Sequence, residues 1–320
     1  MAKLKYEFEN EYYKSHRRPL RDYVFGYFHV VAKMLAPVAP LANCLMEFAP
    51  TRKLIARLLG LAEERPLPRI ARRRTKLRTT GTQKGGEMII FLSDVFSRYS
   101  EPQVEEAALD VLTMCGYDVR VLPIVGAGAS LLSKGFVEAA RRHARKTLGL
   151  LNQVDPEREA FIVGVEPPEI YLLKNDYVDL LPDRSDEIQP RGKNVWLVDE
   201  FLLRSSEFSA LRVARLEKQN RVENQNRKIK FHPHCHQRAE GPSADGIASG
   251  ANASVELLRA CGYEVELSDA GCCGMAGTFG YEAEHYALSM KIFERFESRG
   301  TESREWKMEG GNSSIPIGHD

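Results

Sequence analysis

Two stretches of this chain repeat one another. Val111-Leu112-Thr113-Met114-Cys115-Gly116-Tyr117-Asp118-Val119 lies over Leu257-Leu258-Arg259-Ala260-Cys261-Gly262-Tyr263-Glu264-Val265 at an offset of 146 residues, without a gap. Self-similarity at a fixed offset means one supersecondary unit used twice. Carried forward, the offset sets Gly126-Ala127-Gly128 over Cys272-Cys273-Gly274. Both turns lead into a helix, past Lys134-Gly135-Phe136 in one half and Phe279-Gly280-Tyr281 in the other.

The elements around the repeat alternate. Met88 to Ser93 reads as a buried strand, Pro102 to Met114 as an amphipathic helix stopped by Gly116, and Asp118 to Leu122 as the next strand. A helix over 133–151 and a strand over 160–165 follow. The second half offers strands over 195–198, 228–232 and 264–268, and helices over 200–219, 252–260 and 281–296. Alternation of this kind predicts an α/β fold with an open, mostly parallel sheet and flanking helices in each half. Ahead of it, residues 3–35, 41–49 and 51–61 read as helices, with Cys44 in their core, and 66–86 as an extended basic linker. The expected divisions are 1–84, helical segment and linker; 85–190, first repeat; 191–298, second repeat; and 299–320, a polar disordered tail.

The net charge of +1 hides an asymmetry. Residues 1–86 carry 18 Lys/Arg and 7 Asp/Glu, or +11, which leaves −10 for the rest. The basic side includes Arg72-Arg73-Arg74-Thr75-Lys76-Leu77-Arg78, a segment suited to an acidic membrane surface or acidic partner, or simply a solvated linker. No aromatic–basic platform accompanies it, so nucleic acid is not an expected partner. The apolar stretch from Val24 to Leu61 is broken by charges and prolines, which favours packed or interfacial helices over a membrane span. The charged N-terminus lacks the apolar run of a secretory signal, so a cytoplasmic location is expected, peripheral to the inner face of the membrane if the basic region docks there.

The chemistry concentrates in His232-Pro233-His234-Cys235-His236 and Gly271-Cys272-Cys273-Gly274. Adjacent cysteines on one strand face opposite sides, whereas a turn flanked by Gly271 and Gly274 lets both sulfurs face one pocket and lets backbone approach a bulky group. Cys235, ending the neighbouring strand, reaches the same rim, where open α/β sheets bind ligands. Three thiolates suit an iron–sulfur cluster or zinc. A fourth ligand is then His234, His236, solvent or another chain, unless the histidines only orient their neighbours. Cys115 and Cys261, each ending a helix, read as small buried apolar residues. No dinucleotide fingerprint is expected at Gly126-Ala127-Gly128, because position 131 is leucine.

These residues resemble the cysteine-rich CCG domain family, found in a subunit of heterodisulfide reductase, in the iron–sulfur subunit of glycolate oxidase and at the C-terminus of FAD-linked oxidases of the D-lactate and 2-hydroxyacid type. The resemblance runs from about residue 3 to about residue 291 and is strongest in His232 to Gln237 and Asp269 to Gly280. It implies tandem CCG repeats, a cluster of the 4Fe-4S type on Cys235, Cys272 and Cys273, with Gly271, Gly274 and His236 around it, and electron transfer from an FAD-containing oxidase subunit or domain. The first repeat departs from the pattern in lacking its cysteines. The family's last cysteine is also missing, where this chain reads Met308-Glu309-Gly310-Gly311-Asn312-Ser313-Ser314. Relative to the fused oxidases, the FAD domain and the ferredoxin-type cysteines are missing too, so a truncated chain is expected. The competing expectation is a non-catalytic CCG scaffold, with zinc as the alternative metal, that docks a partner or membrane. A thiol-redox role for Cys272 and Cys273 ranks behind both, since vicinal disulfides are strained.

Overall fold

The computed structural model describes residues 2–72, 86–209 and 227–301. Its centre is a parallel four-stranded sheet in the order β2-β1-β3-β4, built from β1 (Met88–Phe91), β2 (Asp118–Val121), β3 (Phe161–Gly164) and β4 (Val195–Leu197). Alternate residues of β1 feed two different cores. Ile90 joins Leu122, Leu131, Leu148 and Ile162 on one face, while Ile89 and Phe91 join Leu112, Val119, Val163 and Phe201 on the other. A sheet buried on both faces needs the continuous apolar strands that the sequence supplies.

A second, smaller parallel pair, β5 (Arg227–Phe231) and β6 (Tyr263–Leu267), follows. Its register places Lys228 opposite Glu264 as β1 places Met88 opposite Asp118. Each first strand ends in a five-residue helix, Val95–Tyr99 after β1 and Cys235–Ala239 after β5, capped by Asp94 and His234 respectively. Structural equivalence therefore sets Val95 in the place of Cys235. The mostly parallel α/β architecture is as expected.

The N-terminal segment forms α1 (Ala2–Ser15), α2 (Leu20–Gly26), α3 (Phe28–Leu35), α4 (Ala39–Glu47) and α5 (Ala49–Leu59). This layer bridges the two sheet units. Arg18 donates to the Lys134 and Gly135 carbonyls of the first, and the Ala62 N–H donates to the Tyr281 carbonyl of the second at 2.9 Å.

Several expectations change. β4 pairs with β3, so the first sheet runs past the boundary drawn at 190/191. The stretch over 182–193, whose prolines, acids and glycine read as a boundary between the halves, contains the helix Ser185–Gly192. The helix read over 133–151 is Val137–Val154, because Gly135 at φ +66° breaks the chain from the short helix Ala129–Ser133. The last helix runs Tyr286–Thr301 rather than from 281, since Phe279–Tyr281 forms a 3-10 turn that buries Tyr281 beside Ala56 and Leu61. The helix read over 200–219 stops first at Arg204. Cys44 is exposed, because α4 turns Ala39 and Ala42 to the core instead. Cys115 is buried beside Leu112 and Tyr117, but Cys261 is exposed, as the two-stranded unit has less to cover it. Residues 73–85, 210–226 and 302–320 lie outside the described residues, including most of the basic run and of the expected tail.

Candidate metal centre

The C-terminal ends of β5 and β6 carry the cysteines side by side. After β5 the chain turns at Pro233, and His234 caps the helix Cys235–Ala239 by accepting the His236 N–H on Nδ1 at 3.1 Å. Gln237 closes the cap from the other side, its Oε1 accepting the His234 N–H at 3.1 Å. Its Nε2 donates to Ser254 at 2.9 Å and so fixes this short helix on the helix Gly250–Ala260. Cys235 is the first residue of the capped turn, with its Sγ 3.8 Å from His234 Nδ1.

After β6, Arg238 ties the two strand ends together by donating to the Ser268 carbonyl at 2.9 Å. The loop then presents Cys272 and Cys273. The Gly274 N–H donates to Cys272 Sγ at 3.3 Å and holds that sulfur against the loop. Gly274 is required here twice over. Its φ of +88° suits glycine, and a Cβ would meet the Ser289 carbonyl oxygen at 2.4 Å. Ser289, 1% exposed, donates back to the Gly274 carbonyl at 2.8 Å and binds the loop to the helix Tyr286–Thr301. Gly271 stands in open space, so the loop needs it for no steric reason visible here.

Cys235 and Cys272 are exposed and Cys273 is half-buried. Burial raises the Cys235 thiol, the His236 N–H opposes that, and the charges of Cys273 and Cys272 raise it further. The three sulfurs thus lie within electrostatic reach of one another. Burial, together with His236 and His232, lowers His234 to about 4, so its ring is neutral at pH 7. Burial lowers His236 as well, against the charge of Asp176. Both imidazoles are therefore in the uncharged form that ligates metals.

Among the described residues, the one trio of ligand atoms closing within 4.8 Å is Glu282, Glu284 and His285. Arg21 reaches both glutamates and Lys134 pairs with Glu282 at 2.8 Å, so that cluster is an ion-pair node between the N-terminal layer and the second unit. The cysteines are more widely spread. A mononuclear zinc with Zn–S of about 2.3 Å draws its sulfurs to about 3.8 Å from one another, tighter than this set. The three cysteines offer soft donors, two of them exposed and one half-buried.

Sequence reasoning placed Cys235, Cys272 and Cys273 together and named Gly274 and His236 beside them. It missed Ser289 and Arg238. Gln237 entered the sequence reading only through the resemblance over His232 to Gln237, and its capping role comes from the structure. A cleft of about 570 Å³ lies apart from the thiols, beneath α1, walled by Tyr13, Tyr27, Phe136 and Arg142.

In the first unit the equivalent rim carries no thiol. Val95 is buried, and the Gly126-Ala127-Gly128 turn wraps around Glu169. Its Oε2 accepts N–H groups from Ala127 at 2.6 Å, Gly128 at 3.0 Å and Ala129 at 3.0 Å.

No family model and no solved structure matches the chain. It is similar to a subunit of the anaerobic glycerol-3-phosphate dehydrogenase of Escherichia coli K12, 23% identical over 321 residues that cover 94% of this chain and 76% of that protein. It is also similar to D-2-hydroxyglutarate dehydrogenase from Escherichia coli K12, 23% identical over 295 residues that cover 88% of this chain and 27% of that enzyme. The Pseudomonas putida D-2-hydroxyglutarate dehydrogenase is 24% identical over 302 residues, 89% of this chain and 27% of the enzyme. The relatives are thus one component of a dehydrogenase and a part of larger dehydrogenases. This chain is similar to oxidoreductase components.

Proposed function

We propose that the chain is an iron–sulfur electron-transfer component of an FAD-linked oxidoreductase that oxidises a small hydroxy-anion of the 2-hydroxyacid type. The observation that carries the reading is the placement of Cys235, Cys272 and Cys273 in the segments that follow two adjacent parallel strands, with Cys235 and Cys272 exposed to a partner. Two features of the relatives support it. They are dehydrogenases, or a subunit of one, of glycerol-3-phosphate and D-2-hydroxyglutarate, both small anions bearing a hydroxyl. The alignments also take in only part of the larger enzymes, as expected of a component that works beside a separate substrate-oxidising flavin unit.

A bound cluster of the 4Fe-4S type supplies a one-electron carrier, so two transfers match each two-electron oxidation at a flavin. The chain's own residues do the rest. Cys235, Cys272 and Cys273 would hold the cluster as thiolate ligands, and the Gly274 N–H donates to Cys272 Sγ. His234 or His236, neutral at pH 7, or a group of the partner supplies the fourth position. The tandem strand–helix–strand units represent two CCG repeats, the first with its ligand positions replaced by Val95, Gly126 and Ala127. The thiols stay reduced in the cytoplasm, where we place the chain.

The test is anaerobic purification and reconstitution with iron and sulfide, followed by metal analysis and EPR. Iron and acid-labile sulfide near cluster stoichiometry, lost in Cys272→Ser, are expected. Zinc alone, or no metal after reconstitution, overturns the reading and leaves a CCG scaffold.

A further inference from the structure

The run Phe28–Glu47, formed by α3, the turn Ala36–Val38 and α4, is packed inside out. Its small residues face the protein: Ala32, Ala36 and Ala39 are buried and cluster with Ile70, Val95 and Tyr99. Large apolar residues face solvent: Val30, Met34, Val38, Leu41 and Leu45, with Phe48 just past its end. Met34 is 72% exposed, Leu41 62% and Phe48 59%, against 0% for Ala32 and 1% for Ala39. On an ideal helix at 100° per residue the six large residues fall within an arc of about 80°, and the alanines fall on the opposite side. Scattered exposed leucines need no explanation, but a continuous stripe of six does. The neighbouring α5 extends the apolar surface with Leu54 and Leu58, both exposed.

The surroundings of the stripe are basic. Lys33, Lys53 and Arg72 are exposed near it, and the sequence continues with Arg73, Arg74, Lys76 and Arg78. Apolar anchors beside a cationic rim match the surface of an anionic bilayer, where acyl chains lie beneath negative headgroups. By length and composition the run, at 20 residues with mean hydropathy 1.4, is also sufficient to cross a membrane. The packing of its alanine face on the sheet unit and the breaks at Pro37 and Pro40 favour lying in the surface instead.

We propose that the outer face of α3 to α5 inserts into one leaflet of an anionic membrane, with Met34, Leu41, Leu45 and Phe48 among the acyl chains and the exposed Lys33, Lys53 and Arg72 towards the headgroups. This goes beyond the electron-transfer reading and does not depend on it.

The full chain is tested by flotation with phosphatidylcholine vesicles and with vesicles that also contain phosphatidylglycerol. The expected result is binding to the phosphatidylglycerol vesicles, weaker binding to the neutral ones and loss with added salt. Met34→Glu with Leu41→Glu should weaken binding roughly tenfold or more, since it sets charge among the acyl chains. Both sites are exposed, and Met34→Ser with Leu41→Ser serves if the charged pair fails to fold. The proposal is overturned if phosphatidylglycerol vesicles capture no protein, or if the folded double variant floats like the parent. It is equally overturned if the lipid-free chain is a stable oligomer that the double variant dissociates, which makes the face a protein interface. Iron content, measured separately, reports on the electron-transfer reading alone.

Discussion

Glu169 stands 2.6 Å from the backbone nitrogen of Ala127, and the same carboxylate oxygen also takes the N–H groups of Gly128 and Ala129. The turn that presents thiols in the second unit is, in the first, closed around an internal anion. Gly126 permits the approach, since a Cβ there would meet the Glu169 carboxyl at 2.9 Å.

Replacing Glu169 by alanine strands three inward N–H groups, each of which costs about 1–3 kcal/mol when buried without a partner. We expect Glu169→Ala to lower unfolding free energy in urea by at least about 3 kcal/mol, even if water serves some of the donors. Glu169→Gln keeps an acceptor and should lose clearly less. Equal losses in both would show that an acceptor of the same shape does not serve the three donors, against this account.

The cysteines should separate into two classes. Cys235→Ser, Cys272→Ser and Cys273→Ser should each reduce iron bound after reconstitution, while Cys44→Ser, Cys115→Ala and Cys261→Ser should leave it unchanged. Iron content per folded chain, with circular dichroism as the folding control, reads the difference. A large iron loss in Cys261→Ser would contradict the ligand set.

Arg191 is 1% exposed and holds Asp155 at 3.0 Å, while also donating to Asn152 Oδ1 and the Asp155 carbonyl. Removing one partner of such a pair leaves an uncompensated buried charge, at about 3–5 kcal/mol. Arg191→Ala should destabilise the fold by that amount in urea titration. Arg191→Ala with Asp155→Ala should recover part of the loss, and a purely additive double variant would deny the coupling.

His29 gives a pH dependence of known sign. Burial, aided by His143, lowers it from 6.5 to about 4. Between those values the unfolded chain binds a proton that the folded chain refuses, so this contribution to stability falls as pH drops from 6.5 towards 4. His29→Gln should flatten the stability–pH curve in that window. An unchanged slope would remove His29 as its source.

Much of the site was legible because its determinants are local. The capped turn at Cys235 and the Gly-Cys-Cys-Gly loop are set by residues adjacent in sequence, and strand ends follow from short apolar runs. Ser289 was not legible, since it reaches Gly274 from a helix 15 residues further on and no local pattern marks it. The helix Ser185–Gly192 was not legible because its prolines and acids mark a boundary, while Ile188 and Arg191 are held in the core by distant partners.

The sequence by itself determined the internal similarity at an offset of 146 residues, the α/β alternation, and the cysteines at the second turn where the first reads Gly126-Ala127-Gly128. These follow from periodicity and residue identity, which act over a few neighbours. Only the tertiary structure decided that β4 completes the first sheet, that Glu169 fills the turn where cysteines would stand, and that α3 and α4 turn alanines inward and large apolar residues outward. An amphipathic period fixes which residues share a face. Which face is buried depends on what packs against it, and here Ile70, Val95 and Tyr99 pack against Ala32, Ala36 and Ala39.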